Sequence, residues 1–151
     1  MPVSVFTAVL ILLFVVQDAF AASGASAACV NYGHVEQFRL SEGERQSAER
    51  AALEGDASRA FAVANYYGFY RPKCSSADGE NSLYWMQIAA ENGHPQGMQL
   101  LGVALYGKGG RENCARAAFW EQQAIRFTQD GRVRQNAKDT LTNIRNSAAC
   151  R

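Results

Sequence analysis

From residue 41 onward the apolar positions recur every three or four residues, and no period-two run of β-branched residues interrupts them. This pattern predicts an all-α domain. Ser41 followed by Glu44 forms a capping box, so a helix is expected over 42–53 with Ala48, Ala51 and Ala52 on its close-packing side. Gly55 stops it, and Asp56 can cap a second helix over 57–69 that carries Ala60, Phe61, Ala64 and Tyr67 at helical spacing. The stretch containing Pro72, Cys74, Ser75, Ser76, Asp78 and Gly79 is rich in turn formers and reads as a surface loop. A third helix over 80–92 places Leu83, Trp85, Ile88 and Ala89 inward or near the seam with the second.

Gly93 supplies a left-handed stop, and Pro95 fits the first turn of a fourth helix over 95–106, with Leu101, Gly102 and Leu105 inward. After the glycines at 107, 109 and 110, Asn113 can cap a fifth helix over 114–127 with Ala117, Ala118, Trp120, Ala124 and Ile125 as its apolar residues. Beyond Asp130 and Gly131 a last helix, ending near Ser147, shows one stripe of Val133, Ala137, Leu141 and Ile144. A single buried stripe suits a terminal cap whose other face is wet.

The middle of this series repeats. Gly55 to Gly93 spans 38 positions and Trp85 to Trp120 spans 35, a period at which each repeat is one supersecondary unit. Such units bury their apolar faces only by stacking, and stacking leaves open a surface suited to holding another protein. Ala and Gly at the seam let helices approach closely, and one Trp per unit covers the remaining gap. Trp85 and Trp120 are therefore read as core.

Ahead of these helices, residues 3–16 are apolar apart from Ser4 and Thr7, and a small-residue stretch follows over 19–28. This has the layout of a secretory signal peptide, with cleavage expected after about residue 21 or 27. Fourteen residues fall short of the roughly 20 needed to span a bilayer core, so no stable membrane span is expected in the mature form. The run lacks a preceding Lys or Arg, so either the signal is atypical or the true start lies further upstream. A lipoprotein with Cys29 acylated is the less favoured variant, because Ser26 stands where such signals usually carry Leu. The expected organisation is then an export segment over 1–27, an extension and capping helix over 28–54, two helical hairpins over 55–127 and a C-terminal capping helix over 128–151. A periplasmic or secreted location follows.

Charge adds little to this picture. The mature chain would carry 15 basic and 13 acidic residues, which is no nucleic-acid signature. The distribution is uneven, since residues 111–151 hold eight Lys or Arg against four Asp or Glu. That part can face an acidic partner surface, although a solvated helix face is the simpler reading.

Cys29, Cys74, Cys114 and Cys150 form an even set in a chain that looks exported, where disulfides persist. Their spacings of 45, 40 and 36 exclude the paired short loops of a zinc site, and neither metal nor cofactor is expected. Four cysteines allow three connectivities. Alternating helix directions place all four on one edge, where sequential neighbours give Cys29 with Cys74 and Cys114 with Cys150; a Cys74 to Cys114 bridge is the second choice.

The repeated residues resemble the Sel-one-like repeat family, short relatives of tetratricopeptide repeats. Leu101 and Gly102 match that family's Leu-Gly pair, Gly107 and Gly109 its turn, and Trp120 and Ala124 its second helix. In the first copy Tyr67, Asp78, Trp85, Ala89, Ala90 and Gly93 match. Val63 and Ala64 replace the Leu-Gly pair there, Leu105 replaces the family Tyr in the second copy, and the first loop is longer and lacks its glycines. The resemblance covers about 55–125 and implies a short right-handed αα-hairpin solenoid of about two repeats that binds proteins, with no catalytic residue to carry over.

Candidate chemistry is sparse. His94 sits at a turn between Gly93 and Pro95 and reads as a helix cap; His34 has no neighbour resembling a metal partner beyond Glu36. Cysteine-rich relatives in the family suggest an alternative, an envelope hydrolase of β-lactam or cell-wall substrates, but no Ser here is followed three residues later by Lys. The best candidate contact surface is Tyr66 and Tyr70, which share a helix face, with Arg71 and Lys73 beside them as cationic anchors. The resulting expectation is an exported, non-enzymatic interaction module, either an immunity protein or an envelope adaptor, whose partner is another protein.

Overall fold

The computed structural model describes residues 35–70 and 76–151, so Cys29, His34, Arg71, Lys73 and Cys74 lie outside the described residues. Among the described residues there are six α-helices and no strand: α1 (Glu42–Leu53), α2 (Ala57–Asn65), α3 (Ser76–Glu91), α4 (Pro95–Lys108), α5 (Arg111–Phe127) and α6 (Gly131–Asn146). Each helix packs against its successor, and α4 also packs against α6. None of the described helices is long and apolar enough to cross a membrane.

The helix ends follow local chemistry. Ser41 Oγ accepts from the Glu44 amide at 3.4 Å while Glu44 Oε2 accepts from the Ser41 amide at 2.8 Å, so two donors at the start of α1 are satisfied together. Asp56 Oδ1 takes the Ser58 and Arg59 amides at 3.0 and 2.9 Å, and Asp130 Oδ1 takes the Arg132 amide at 2.7 Å. Gly93 has φ of 92°, a left-handed turn that a side chain would strain, and the chain reverses there into α4. His94 caps α4, its Nδ1 accepting from the Gly97 amide at 3.1 Å.

Three boundaries differ by three or four residues from the pattern expected of the sequence, and α4 also runs on through Gly107 to Lys108 instead of ending at 106. The second helix does not stay α-helical to residue 69: Tyr66–Tyr70 form a π-helical continuation of α2. The third begins at Ser76 rather than at residue 80, taking in Asp78 and Gly79, which composition alone assigns to a loop. Asp78 is buried in the first turn, where a carboxylate is also favoured by the helix dipole. The fifth begins at Arg111; Gly110 holds the cap position and Asn113 lies inside the first turn, its Nδ2 donating to the Gly109 carbonyl at 3.0 Å.

The core is dominated by small residues. Ala48, Ala52, Ala60, Ala64, Ala89, Ala117, Ala124 and Ala137 are all buried, which lets the helices approach closely, while Trp85, Met86, Met98, Leu101 and Leu105 fill the wider gaps. Trp120 is only partly buried. On α6 the buried stripe is Val133, Ala137, Thr140 and Ile144; Leu141 is half-buried, because Thr140 and not Leu141 keeps the seven-residue register with Val133. Cys114 and Cys150 form a disulfide with Cα atoms 5.5 Å apart, which ties the final turn, Ala148–Cys150, to the start of α5.

Candidate functional site

The two central helix pairs, α2 with α3 and α4 with α5, can be laid on each other residue by residue. In the first helices a shift of 38 brings Ala60 onto Met98, Val63 onto Leu101 and Ala64 onto Gly102, and all six are buried. In the second helices a shift of 35 brings Ala89 onto Ala124, both fully buried, and Trp85 onto Trp120. The same shift brings Tyr84 onto Phe119, which are 55% and 51% exposed.

Those two exposed rings are not loose. Tyr84 meets Trp85 edge-on with centroids 5.2 Å apart at 76°, and Phe119 meets Trp120 at 5.0 Å and 74°. An edge-to-face contact of this kind limits ring motion and is worth about 0.5–1.5 kcal/mol beyond burial. Tyr84 also borders a groove between α1 and α3, with a volume of about 400 Å³, that runs past Leu53, Ile88 and Asn92. Leu53 is 65% exposed at its edge.

Of the expected contact residues, the structure brings Tyr66 and Tyr70 together. Their rings stack with centroids 5.5 Å apart at 24°, and both are half-buried. Tyr67 turns away toward α1: its hydroxyl donates to Glu49 Oε1 at 3.2 Å and accepts from Arg45 Nη1 at 3.2 Å. Burial, with the Glu49 charge, raises the Tyr67 phenol above its ordinary pKa and keeps it protonated for that bond. Phe69 on the same π turn packs against Phe38, and its carbonyl accepts from the Val35 amide at 3.0 Å. The π turn is thus a junction between α2 and the segment preceding α1, with the Tyr66–Tyr70 stack on it.

His94, besides capping α4, stacks on Phe61 with centroids 4.2 Å apart at 16°. Burial lowers its pKa, so the neutral ring is favoured and Nδ1 remains an acceptor for the cap. Among the described residues no group of three or more His, Cys, Asp or Glu could hold a metal ion.

Sequence reasoning missed Glu121. The 35-residue shift places it on Met86, and like Met86 it is buried, with no exposed surface at all. Neither carboxylate oxygen has a hydrogen-bond partner among the described residues; the neighbouring Thr140 gives its hydroxyl to the Asn136 carbonyl at 3.0 Å. Burial pushes the carboxyl up to about 8, against a smaller opposing effect of Thr140. Room for the side chain comes from Gly102, where a Cβ would fall 2.5 Å from Glu121 Oε1. The repeat register is the signal that could have exposed this residue, since it sets a carboxyl where the other helix pair has a thioether.

No family model matches the chain, and no curated protein or solved structure matches it.

Proposed function

We propose that this chain is an exported, non-enzymatic protein-binding module, built from two Sel-one-like αα-hairpins with divergent capping helices. The observation that carries this reading is the pair Tyr84 and Phe119, exposed at equivalent positions of two helix pairs and each braced edge-on by a Trp. An aromatic already held in place loses little conformational freedom on binding, and aromatic residues are over-represented among those that carry interface energy. Repetition of the same exposed residue at the repeat spacing suits a partner that lies across both units. The stacked Tyr66 and Tyr70, with Arg71 and Lys73 following in the chain, are a second contact region on the same reading. Export is supported by the Cys114–Cys150 bridge, a bond that persists in oxidising compartments, and by the signal-like segment over 1–27.

Two roles fit such a module: an immunity protein that blocks a secreted toxic effector, or an adaptor in an envelope complex. The first entails a tight one-to-one complex and a toxin gene beside this one. The reading is tested by affinity capture of the oxidised protein from its own organism, comparing the native chain with a variant carrying Tyr84→Ala and Phe119→Ala. A protein enriched at fixed stoichiometry by the native chain and lost from the variant supports it. Equal enrichment by both chains, or none by either, contradicts it.

A further inference from the structure

The disulfide end of the molecule carries a groove that differs in character from the aromatic face. Its volume is about 350 Å³, and its floor includes Ala118, Ile144 and the Cys114–Cys150 bridge. Arg111, Arg145 and Arg151 surround it, and no Asp or Glu lines it. All three arginines are exposed. Among the described residues none of them is paired with a carboxylate, whereas Arg39 pairs with Glu36, Arg45 with Glu42 and Glu49, and Arg132 with Asp130. The groove therefore joins an apolar floor to three arginines, from the start of α5, the end of α6 and position 151, none of them paired with a carboxylate among the described residues.

We infer that this groove docks an acidic segment of the partner protein, one apolar side chain seated on Ala118 and Ile144 with flanking carboxylates held by Arg111, Arg145 and Arg151. This assignment rests on the protein-binding reading above and names the chemistry of the partner. Guanidinium is suited to carboxylate because its planar fork can donate two parallel hydrogen bonds. The apolar floor favours a peptide over a polyanion: a single-stranded nucleic acid would call for aromatic stacking platforms, and no Phe, Tyr or Trp lines the groove, while a duplex held through its phosphates would have no apolar group to seat on Ala118 and Ile144. The bridge also makes the site conditional on oxidation, since Cys150 anchors the turn that leads into Arg151.

The test uses the oxidised full chain and fluorescence anisotropy with a labelled peptide of alternating Glu and Leu. Controls are the same peptide with Gln for Glu, the same with Ser for Leu, a short DNA duplex, and vesicles of anionic phospholipid. The Glu-Leu peptide should bind best, and binding should weaken as salt rises. Replacing the three arginines together by Gln should weaken it by about 3- to 125-fold, taking each exposed pair at about 1.4- to 5-fold. Reversing them, Arg111→Glu with Arg145→Glu and Arg151→Glu, should shift preference to a Lys-Leu peptide. Binding that ignores these substitutions, an equal response to the Gln peptide, or preference for the duplex or the vesicles would overturn the assignment. If the peptide fails while the native chain still captures a partner through Tyr84 and Phe119, the groove assignment alone falls. If nothing is captured either, the protein-binding reading falls with it.

Discussion

The α2–α3 pair and the α4–α5 pair share one plan and differ at its centre. Where the first pair buries Met86, the second buries Glu121; where the first has Ala64, the second has Gly102. The two differences belong together, because the carboxyl occupies the space that a side chain at 102 would need. The lesson concerns which positions the two helix pairs share. Both pairs have Ala or Gly at 64 and 102 and at 89 and 124, a Trp at 85 and 120 and an exposed ring beside it, while Ala60 of the first pair is matched by Met98 and the packed position behind the ring changes from apolar to ionisable.

The largest difference between the pairs in stability should come from the staple on the second. Replacing Cys114 and Cys150 together by Ser opens a closed span of 36 residues and should cost about 4 kcal/mol on chain-entropy grounds. Urea unfolding of the oxidised chain against that variant measures it, and a change below about 1 kcal/mol would mean the C-terminal turn is held by packing and by the Gly110 amide donating to the Ala149 carbonyl.

Next in size is Glu121→Met, which gives the second pair the residue of the first. Holding the carboxyl protonated at pH 7 costs about 3 kcal/mol when its folded pKa is about 8 and its ordinary value 4.5, so the variant should be more stable by about that much. The pH dependence carries the sign. A raised folded pKa means that the native state favours the proton, so the contribution of Glu121 is fully present below pH 4.5 and is lost as pH rises toward about 8. The gap between variant and native chain should therefore widen by about 1.4 kcal/mol per unit through that window. His94 runs the other way: its lowered pKa makes its contribution present above pH 6.5 and lost as pH falls. The difference between the two chains isolates Glu121, since His94 is common to both. A flat difference would show that the carboxyl is solvated.

Gly102→Ala should destabilise by about 1–3 kcal/mol through overpacking against Glu121, and by much less when Glu121→Ala is also present. A double-mutant cycle in denaturant reads this coupling. Additive effects would separate the two differences that the comparison joins.

Smallest in stability should be Tyr84→Ala with Phe119→Ala. Each exposed position changes stability by no more than about 0.5 kcal/mol, and loss of each edge contact adds about 0.5 kcal/mol, the low end for rings that stay half in water, so the pair should cost about 1–2 kcal/mol. Thermal unfolding that shifts far more than this would place both rings in the core and not on a working surface.

Much of this architecture is legible in the chain because its helix ends are written in side chains. Ser41 with Glu44, Asp56, Gly93 and Asp130 each mark a boundary through a bond or a backbone angle that few other residues supply. The start of α3 is less legible, because Ser76, Asp78 and Gly79 serve equally in a turn and in the first turn of a helix. The π turn over Tyr66–Tyr70 leaves no mark in periodicity, since apolar rings occupy every position there except Gly68. Glu121 is the least legible of all. Between Trp120 and two Gln residues it reads as one more solvated charge, and only tertiary packing from α4 and α6 removes it from water.

The claim that the repeated outer surface holds a partner is tested most directly by site-specific photo-crosslinking. A photoreactive amino acid is placed in turn at positions 84, 119 and, as a control on the exposed face of α6, 135, and the oxidised protein is irradiated in its native setting. The account predicts that positions 84 and 119 yield adducts with one and the same protein and that position 135 yields none with it. Adducts of equal strength from all three positions, or different proteins at 84 and 119, would contradict a shared binding face.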